Sequence, residues 1–299
     1  MAISVFTDAG SNLFASFLQK RNSSIRVLPM PLRLDDQEFL CYDSSIDPET
    51  FSEEFYAKMR AGAKVKTSLP SPGLLEEEAR EEIAKGNQVA FVSLSSGISG
   101  SCQSARNIAS MINEESGELR MVVIDSKTAG FGEGMVALHA ENLAKAGCSL
   151  EELLKQTEEY VLKVRSEFTV DSLKYLAANG RISRLNVALG NVLMIKPLLY
   201  GSNEGTITVT QKVIGRKNAI KKLLSQVIEN ASSKEKTVYI THCSALDEAL
   251  EMKKTLEENG FQDVEAYFYD LITGAHVGPG TLAVFYEGEN RAVKRPILG

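Results

Sequence analysis

The chain has 299 residues and a mass of 32.7 kDa, enough for one large or two mid-sized domains, and two is the expectation. A hydrophobic content of 43% with 24% charged residues is that of a globular protein, which excludes a disordered, collagen-like or coiled-coil chain. Lys and Arg total 33 against 39 Asp and Glu, a formal charge of -6, so no basic surplus exists to neutralise a phosphate backbone, and no nucleic-acid partner is expected.

The elements alternate from the start. Ile3 to Thr7 is predicted as a strand, Asn12 to Arg21 as a short helix and Ile25 to Leu34 as an extended stretch, with a turn at Asp35-Asp36 before Glu38 to Cys41. Asp47-Pro48 combines a capping side chain with a residue pre-set for the first helical position, and Phe51, Phe55 and Met59 then share one helix face until Gly62. A second helix is predicted from Ser71-Pro72 to Gly86. Val89 to Leu94 is a β-branched run leading into Ser95-Ser96-Gly97-Ile98-Ser99-Gly100-Ser101 and an amphipathic helix carrying Ala105, Ile108 and Ile112. Met121 to Ile124 is a strand delivering Asp125. Ser149 and Glu152 form a capping box for a helix predicted to continue to about Arg165, where the domain boundary is placed (1–165 and 166–299).

Beyond that point the pattern changes. Glu167 to Val170 is extended, Ser172 to Ala178 helical and Asn179-Gly180 a break. Ile195 to Tyr200 and Thr206 to Ile214 read as two strands joined by Gly201-Ser202-Asn203-Glu204-Gly205, a composition suited to a hairpin. Helices Lys217 to Ile228 and Leu246 to Glu258 then alternate with strands Val238 to Thr241, Glu265 to Tyr269 and Leu282 to Tyr286. The fold class is therefore α/β: an N-terminal domain with a mostly parallel sheet and flanking helices, a C-terminal domain with a mixed or antiparallel sheet and helices, and a cleft between them.

Several chemistries find no residues to carry them. Cys41, Cys102, Cys148 and Cys243 are scattered, so they read as buried thiols, and His139, His242 and His276 have no ligand spacing; no metal and no cofactor are expected. Gly130-Phe131-Gly132-Glu133-Gly134-Met135 lacks the third glycine of a dinucleotide fingerprint, and no phosphate-binding P-loop is present. No apolar run is long enough to span a bilayer and the start MAISVFTDAG has no secretory character, so a cytoplasmic protein without stable membrane insertion, making transient membrane contact at most, is expected.

Two hydroxyl-rich loops remain. Ser95 to Ser101 leads into a helix N-terminus, where N–H groups, the positive dipole end and serine hydroxyls suit a carboxylate or phosphate; helix capping alone also accounts for it. Thr67-Ser68-Leu69-Pro70-Ser71-Pro72 precedes another helix with the same two readings, its prolines reducing the entropy lost on binding. His276 lies in a glycine-rich stretch before the last strand, read as a turn, where an imidazole could donate to an anion. A serine hydrolase or esterase using Ser99 and His276 is the alternative, although Ser101 stands where the second glycine of a nucleophile elbow belongs.

In order along the chain, Asp8, Lys66-Thr67-Ser68-Leu69-Pro70-Ser71-Pro72, Leu94-Ser95-Ser96-Gly97-Ile98-Ser99-Gly100, Ile124-Asp125-Ser126-Lys127, Gly180-Arg181-Ile182-Ser183, Ile195-Lys196-Pro197 and Ala275-His276-Val277-Gly278-Pro279-Gly280 resemble the DegV-like fatty acid-binding family, whose bacterial members act as the B component of fatty acid kinase. Two departures are local: Ala9-Gly10 stands in place of small hydroxyl residues, and Ser101-Cys102 in place of a frequent Thr-Tyr. The resemblance implies a non-catalytic carrier that holds one long-chain fatty acid in a tunnel at the domain junction. It would present that acid to a separate ATP-dependent fatty acid kinase and keep the acyl phosphate. It implies Thr67, Ser99 and His276, with Ser68 and Ser96 adjacent, as carboxylate-binding residues. Ile98, Leu193, Ile195 and Phe268 are candidates for the tunnel lining, and Arg181 and Arg216 for docking the kinase.

Overall fold

A computed structural model describes residues 1–42, 48–182 and 194–291. In chain order the first elements are β1 (Ile3–Asp8), a 3-10 turn (Ala9–Ser11), α1 (Ala15–Lys20), β2 (Arg26–Leu28), β3 (Met30–Leu34), β4 (Gln37–Cys41), α2 (Pro48–Arg60) and β5 (Val65–Thr67). There follow α3 (Pro72–Ala84), β6 (Gln88–Ser93), α4 (Ser101–Ser116), β7 (Met121–Asp125), α5 (Phe131–Lys145) and α6 (Leu150–Val161). The remainder is β8 (Val164–Thr169), α7 (Lys174–Ala178), β9 (Ile195–Gly201), β10 (Ile207–Ile214), α8 (Arg216–Asn230), β11 (Val238–His242), α9 (Leu246–Glu258), β12 (Val264–Phe268), α10 (Leu271–Val277) and β13 (Leu282–Glu287).

These elements pack as two compact units, Met1–Ile46 with Lys66–Leu162, and Asp47–Val65 with Lys163–Gly299. The first is built on a four-stranded sheet in the order β2-β1-β6-β7, parallel throughout. Because parallel strands need helical crossovers, both faces are covered and the strands read as continuous apolar runs. Val89 to Val92 are accordingly all buried. On one face Leu75 and Ala79 of α3 and Ala105, Ile108 and Ile112 of α4 meet Phe6, Phe91 and Met121. Helices α5 and α6 pack on strands of the same sheet, burying Val136, Ala137, Ala140, Leu150 and Leu153. A smaller sheet, β4-β3-β5, turns at Asp35, whose φ of 52° is left-handed.

The second unit holds a six-stranded mixed sheet, β10-β9-β8-β13-β11-β12, in which only β11 and β12 run parallel. Helices α8 and α9 bury Leu223, Val227, Met252 and Leu256 against Leu198, Ile240, Leu282 and Val284. Helix α2 belongs here, although its neighbours in sequence belong to the first unit: the Tyr56 hydroxyl donates to the Tyr269 carbonyl (3.1 Å), and Arg60 donates to the Ser244 hydroxyl (2.9 Å). Gly274 of α10 makes the Tyr56 contact possible, since a Cβ there would stand 1.9 Å from the tyrosine oxygen.

Three local expectations change, and one helix is added. The capped helix stops at Val161, and Val164–Thr169 is an inner strand of the second sheet. Its Arg165 falls at the end of the predicted helix, yet it is buried and paired with Glu167 at 2.9 Å. Helix α5 was hidden by Gly130, Gly132 and Gly134. Gly132 and Gly134 are required by close approach, their Cβ positions lying 2.4 Å from the Thr128 hydroxyl and 2.5 Å from the Ser11 carbonyl. Asn12 takes a left-handed φ of 62°, so α1 begins only at Ala15. His276 lies in helix α10, not in a turn, because the Asp270 side chain caps that helix through the Thr273 N–H at 2.6 Å.

Candidate functional site

In the four-stranded sheet of the first unit every strand points its C-terminal end the same way, toward helix N-termini, and this edge collects Asp8, Ser93 and Asp125. The serine loop leaves β6 here and is tied down at both ends. Ser95 N–H donates to the Thr128 carbonyl (2.9 Å), and the Ser95 carbonyl accepts from Ile98 and Ser99. Asp125 holds the middle: its carboxylate accepts from the Ser96 hydroxyl at 2.6 Å, the Ser96 N–H at 3.1 Å and the Lys127 N–H at 3.0 Å. The Ser96 hydroxyl proton is therefore committed to a carboxylate of the protein itself. Ser99 is half-buried, and its oxygen faces Ser101, hydroxyl to hydroxyl at 2.9 Å.

The second hydroxyl loop lies against the first. The side chain of Leu69 is 3.6 Å from where a Cβ on Gly100 would stand. Thr67 is half-buried at the end of β5, and Ser68 is exposed with its N–H fixed to the Pro31 carbonyl at 3.0 Å. Ser71 caps α3, accepting from Leu74 N–H at 3.3 Å. Capping thus falls to Ser71, and Thr67 and Ser99 are half-buried.

Beneath the loops is an acidic pair that sequence reasoning missed. Asp8 and Glu133 are fully buried; Asp8 accepts from Gly10 N–H (2.9 Å), and Glu133 accepts from the Thr7 hydroxyl (2.8 Å). Burial pushes the Asp8 carboxyl up to about 6, against the N–H groups of Gly10 and Leu94 and the Glu133 side chain, which pull it down. The available signal was a lone Glu inside a glycine run at a helix start, on the side of the sheet where β1 delivers Asp8. Among the described residues no three His, Cys, Asp or Glu side chains cluster as metal ligands.

In the second unit His276 is half-buried in α10. Burial and then the positive charge of Arg181 push its imidazole down to about 4, so at neutral pH it is an uncharged donor and a weak general base. Arg181 also donates to the Asn179 carbonyl. Arg216 is spoken for by a fork on Glu248, 3.0 and 2.7 Å, with Asp171 3.6 Å away. Of the lining candidates, Ile98 is half-buried in the serine loop, Ile195 half-buried in β9 and Phe268 buried in β12, while Leu193 lies outside the described residues. Strands β9 and β12 are separated by three others, so Ile195 and Phe268 are not neighbours.

A family model described as "Uncharacterised protein, DegV family" matches residues 2–289. The chain belongs to the DegV family. A DegV domain-containing protein of Clostridium perfringens is 29% identical over 289 residues, 96% of this chain and 98% of its own. A fatty acid binding DegV family protein of Streptococcus agalactiae shares the fold with a TM-score of 0.83 and 26% identity, covering 97% of this chain and 100% of that one. A DegV family protein of Ruminococcus gnavus refined with vaccenic acid has a TM-score of 0.80 and 26% identity, covering 95% and 99%. The two-unit α/β architecture is that of these DegV structures. Among the described residues no helix is long and apolar enough to cross a membrane.

Proposed function

We propose that this DegV protein binds one long-chain fatty acid, with Thr67, Ser99 and His276 as donors to the carboxylate. The observation that carries the reading is the match of nearly the whole chain to solved DegV structures, one named for fatty acid binding and one refined with vaccenic acid. The chemistry of the residues supports it. Alkyl burial contributes about 0.8 kcal/mol per CH₂, so a sixteen-carbon tail supplies on the order of 10 kcal/mol before ordering costs. A desolvated carboxylate without donors would oppose most of that gain. Half-buried hydroxyls and a neutral imidazole are donors that bring no competing charge. Ser68 and Ser96 act in support, Ser96 through its bond to Asp125.

In this reading the protein is a carrier and not a catalyst: it presents the acid to a separate ATP-dependent kinase and holds the acyl phosphate afterwards. That part rests on the family resemblance of the residues. Arg181, beside His276, and Arg216, paired with Glu248, are the candidate contacts for the kinase.

Mass spectrometry of an organic extract from protein purified out of a bacterial host tests the ligand. A fatty acid of about C14 to C18 at roughly one per chain is expected, and repeated lipid-free preparations with no gain in Tm on adding acid refute the reading. For the kinase, Arg181→Glu and Arg216→Glu should keep the lipid yet slow its phosphorylation in a reconstituted assay. Wild-type rates in both place the docking surface elsewhere.

A further inference from the structure

Ser101 is the first residue of α4 and is 2% exposed. Its N–H donates to the Ser99 oxygen at 3.2 Å, and its own hydroxyl lies 2.9 Å from the same atom, either oxygen being able to donate. A hydroxyl oxygen accepts two hydrogen bonds and donates one. If Ser99 donated to Ser101, the Ser101 proton would be buried facing none of the acceptors described around it, an arrangement that native interiors avoid. In the opposite polarity the N–H and O–H of Ser101 both enter the lone pairs of Ser99. The Ser99 proton is then left for a group outside the loop. Ser96 does not compete for it, being held by Asp125. Two donors on one hydroxyl oxygen also polarise its O–H bond and make it a stronger donor.

We propose that Ser101 is a positioning residue, which fixes the Ser99 hydroxyl as a donor directed at a ligand carboxylate. This rests on the fatty-acid reading, with Ser99 as a head-group donor, and concerns how that donor is oriented. Ser101 would not touch the ligand; it acts through Ser99. The residue at this position therefore needs a hydroxyl, which threonine also supplies.

The test is a double-mutant cycle read by calorimetric titration of delipidated protein with vaccenic acid, on wild type, Ser99→Ala, Ser101→Ala and the double variant, together with Ser101→Thr and Ser101→Cys. Ser99→Ala should weaken binding by about tenfold or more and Ser101→Ala by about threefold to tenfold, while the double variant binds no more weakly than Ser99→Ala alone. Ser101→Thr should restore wild-type affinity. Ser101→Cys, nearly isosteric but a poor donor, should bind weakly with an unchanged Tm, and it carries the test if the alanine variant does not fold. Wild-type affinity in Ser101→Cys and Ser101→Ala beside a weakened Ser99→Ala overturns the positioning role and leaves the fatty-acid reading standing, as does a double variant whose loss is the sum of the two. Wild-type affinity in Ser99→Ala overturns the positioning role and the head-group assignment together, and absence of binding in the wild type overturns the fatty-acid reading itself.

Discussion

The two units dispose of their buried polar groups differently. In the first, all four strands of the larger sheet are parallel, so strand C-termini and helix N-termini share one edge, and Asp8, Glu133, Asp125 and the serine loop gather there. In the second, the sheet is mixed, and a buried ion pair sits within its strands: Arg165 and Glu167 on β8, both bonded to the Tyr286 hydroxyl of β13. Strand direction thus separates a polar edge able to face a ligand from an ion pair that is internal. The titrating groups follow the same physics with opposite signs, since burial favours the neutral form of each. Asp8 rises to about 6 and His276 falls to about 4.

The strongest way to break this comparison is to treat the internal pair as if it were a surface pair. Glu167→Ala leaves Arg165 buried without its carboxylate and should cost about 3–5 kcal/mol in urea unfolding, where an exposed pair costs under about 1. A loss in the exposed range would mean that solvent reaches β8.

Asp8→Asn comes next. The unfolded chain releases the Asp8 proton near 3.8, whereas the folded protein keeps it to about 6. The folded state therefore binds more protons between these values, and wild-type stability falls as pH rises through that window, then levels. The asparagine amide can keep the bonds without the charge. It should unfold like wild type near pH 4 and be more stable by on the order of 3 kcal/mol above pH 7. Equal stability of the two proteins at high pH would show that Asp8 ionises without penalty.

Thr67→Ala and His276→Ala should each lower fatty-acid affinity by about 1–3 kcal/mol while leaving the fold intact, as read by titration and far-UV circular dichroism. Unchanged affinity in both removes the head group from these positions. The smallest effect sharpens the comparison from outside the polar edge. Ser149→Ala deletes one side of the capping box with Glu152 (3.3 and 3.0 Å) and should cost about 1 kcal/mol in thermal unfolding, with no change in ligand binding.

By itself the sequence determined what depends on neighbours along the chain. The β-branched run Val89 to Leu94, the capping box at Ser149, the hairpin over Ile195 to Ile214 and helix Leu246–Glu258 are local patterns, and the structure has an element at each. The serine loop and the Thr67 loop were legible as hydroxyl-rich segments before helices for the same reason. Tertiary structure decided what depends on residues far apart in sequence. It began β8 at Val164, inside the predicted helix, because β13 and β9 flank that strand, and it made α5 a helix through a glycine run because Thr128 and Ser11 approach too closely for any side chain. It sent α2 to the second unit through Tyr56, whose bond to Tyr269 spans 213 positions. It committed Ser96 to Asp125 and Arg216 to Glu248, 29 and 32 positions away, leaving Ser99 and Arg181 in settings that spacing along the chain does not encode. Helix and hairpin signals are written at short range, whereas burial, pairing of charges and the direction of a hydroxyl proton are set by whichever distant residues the fold brings alongside.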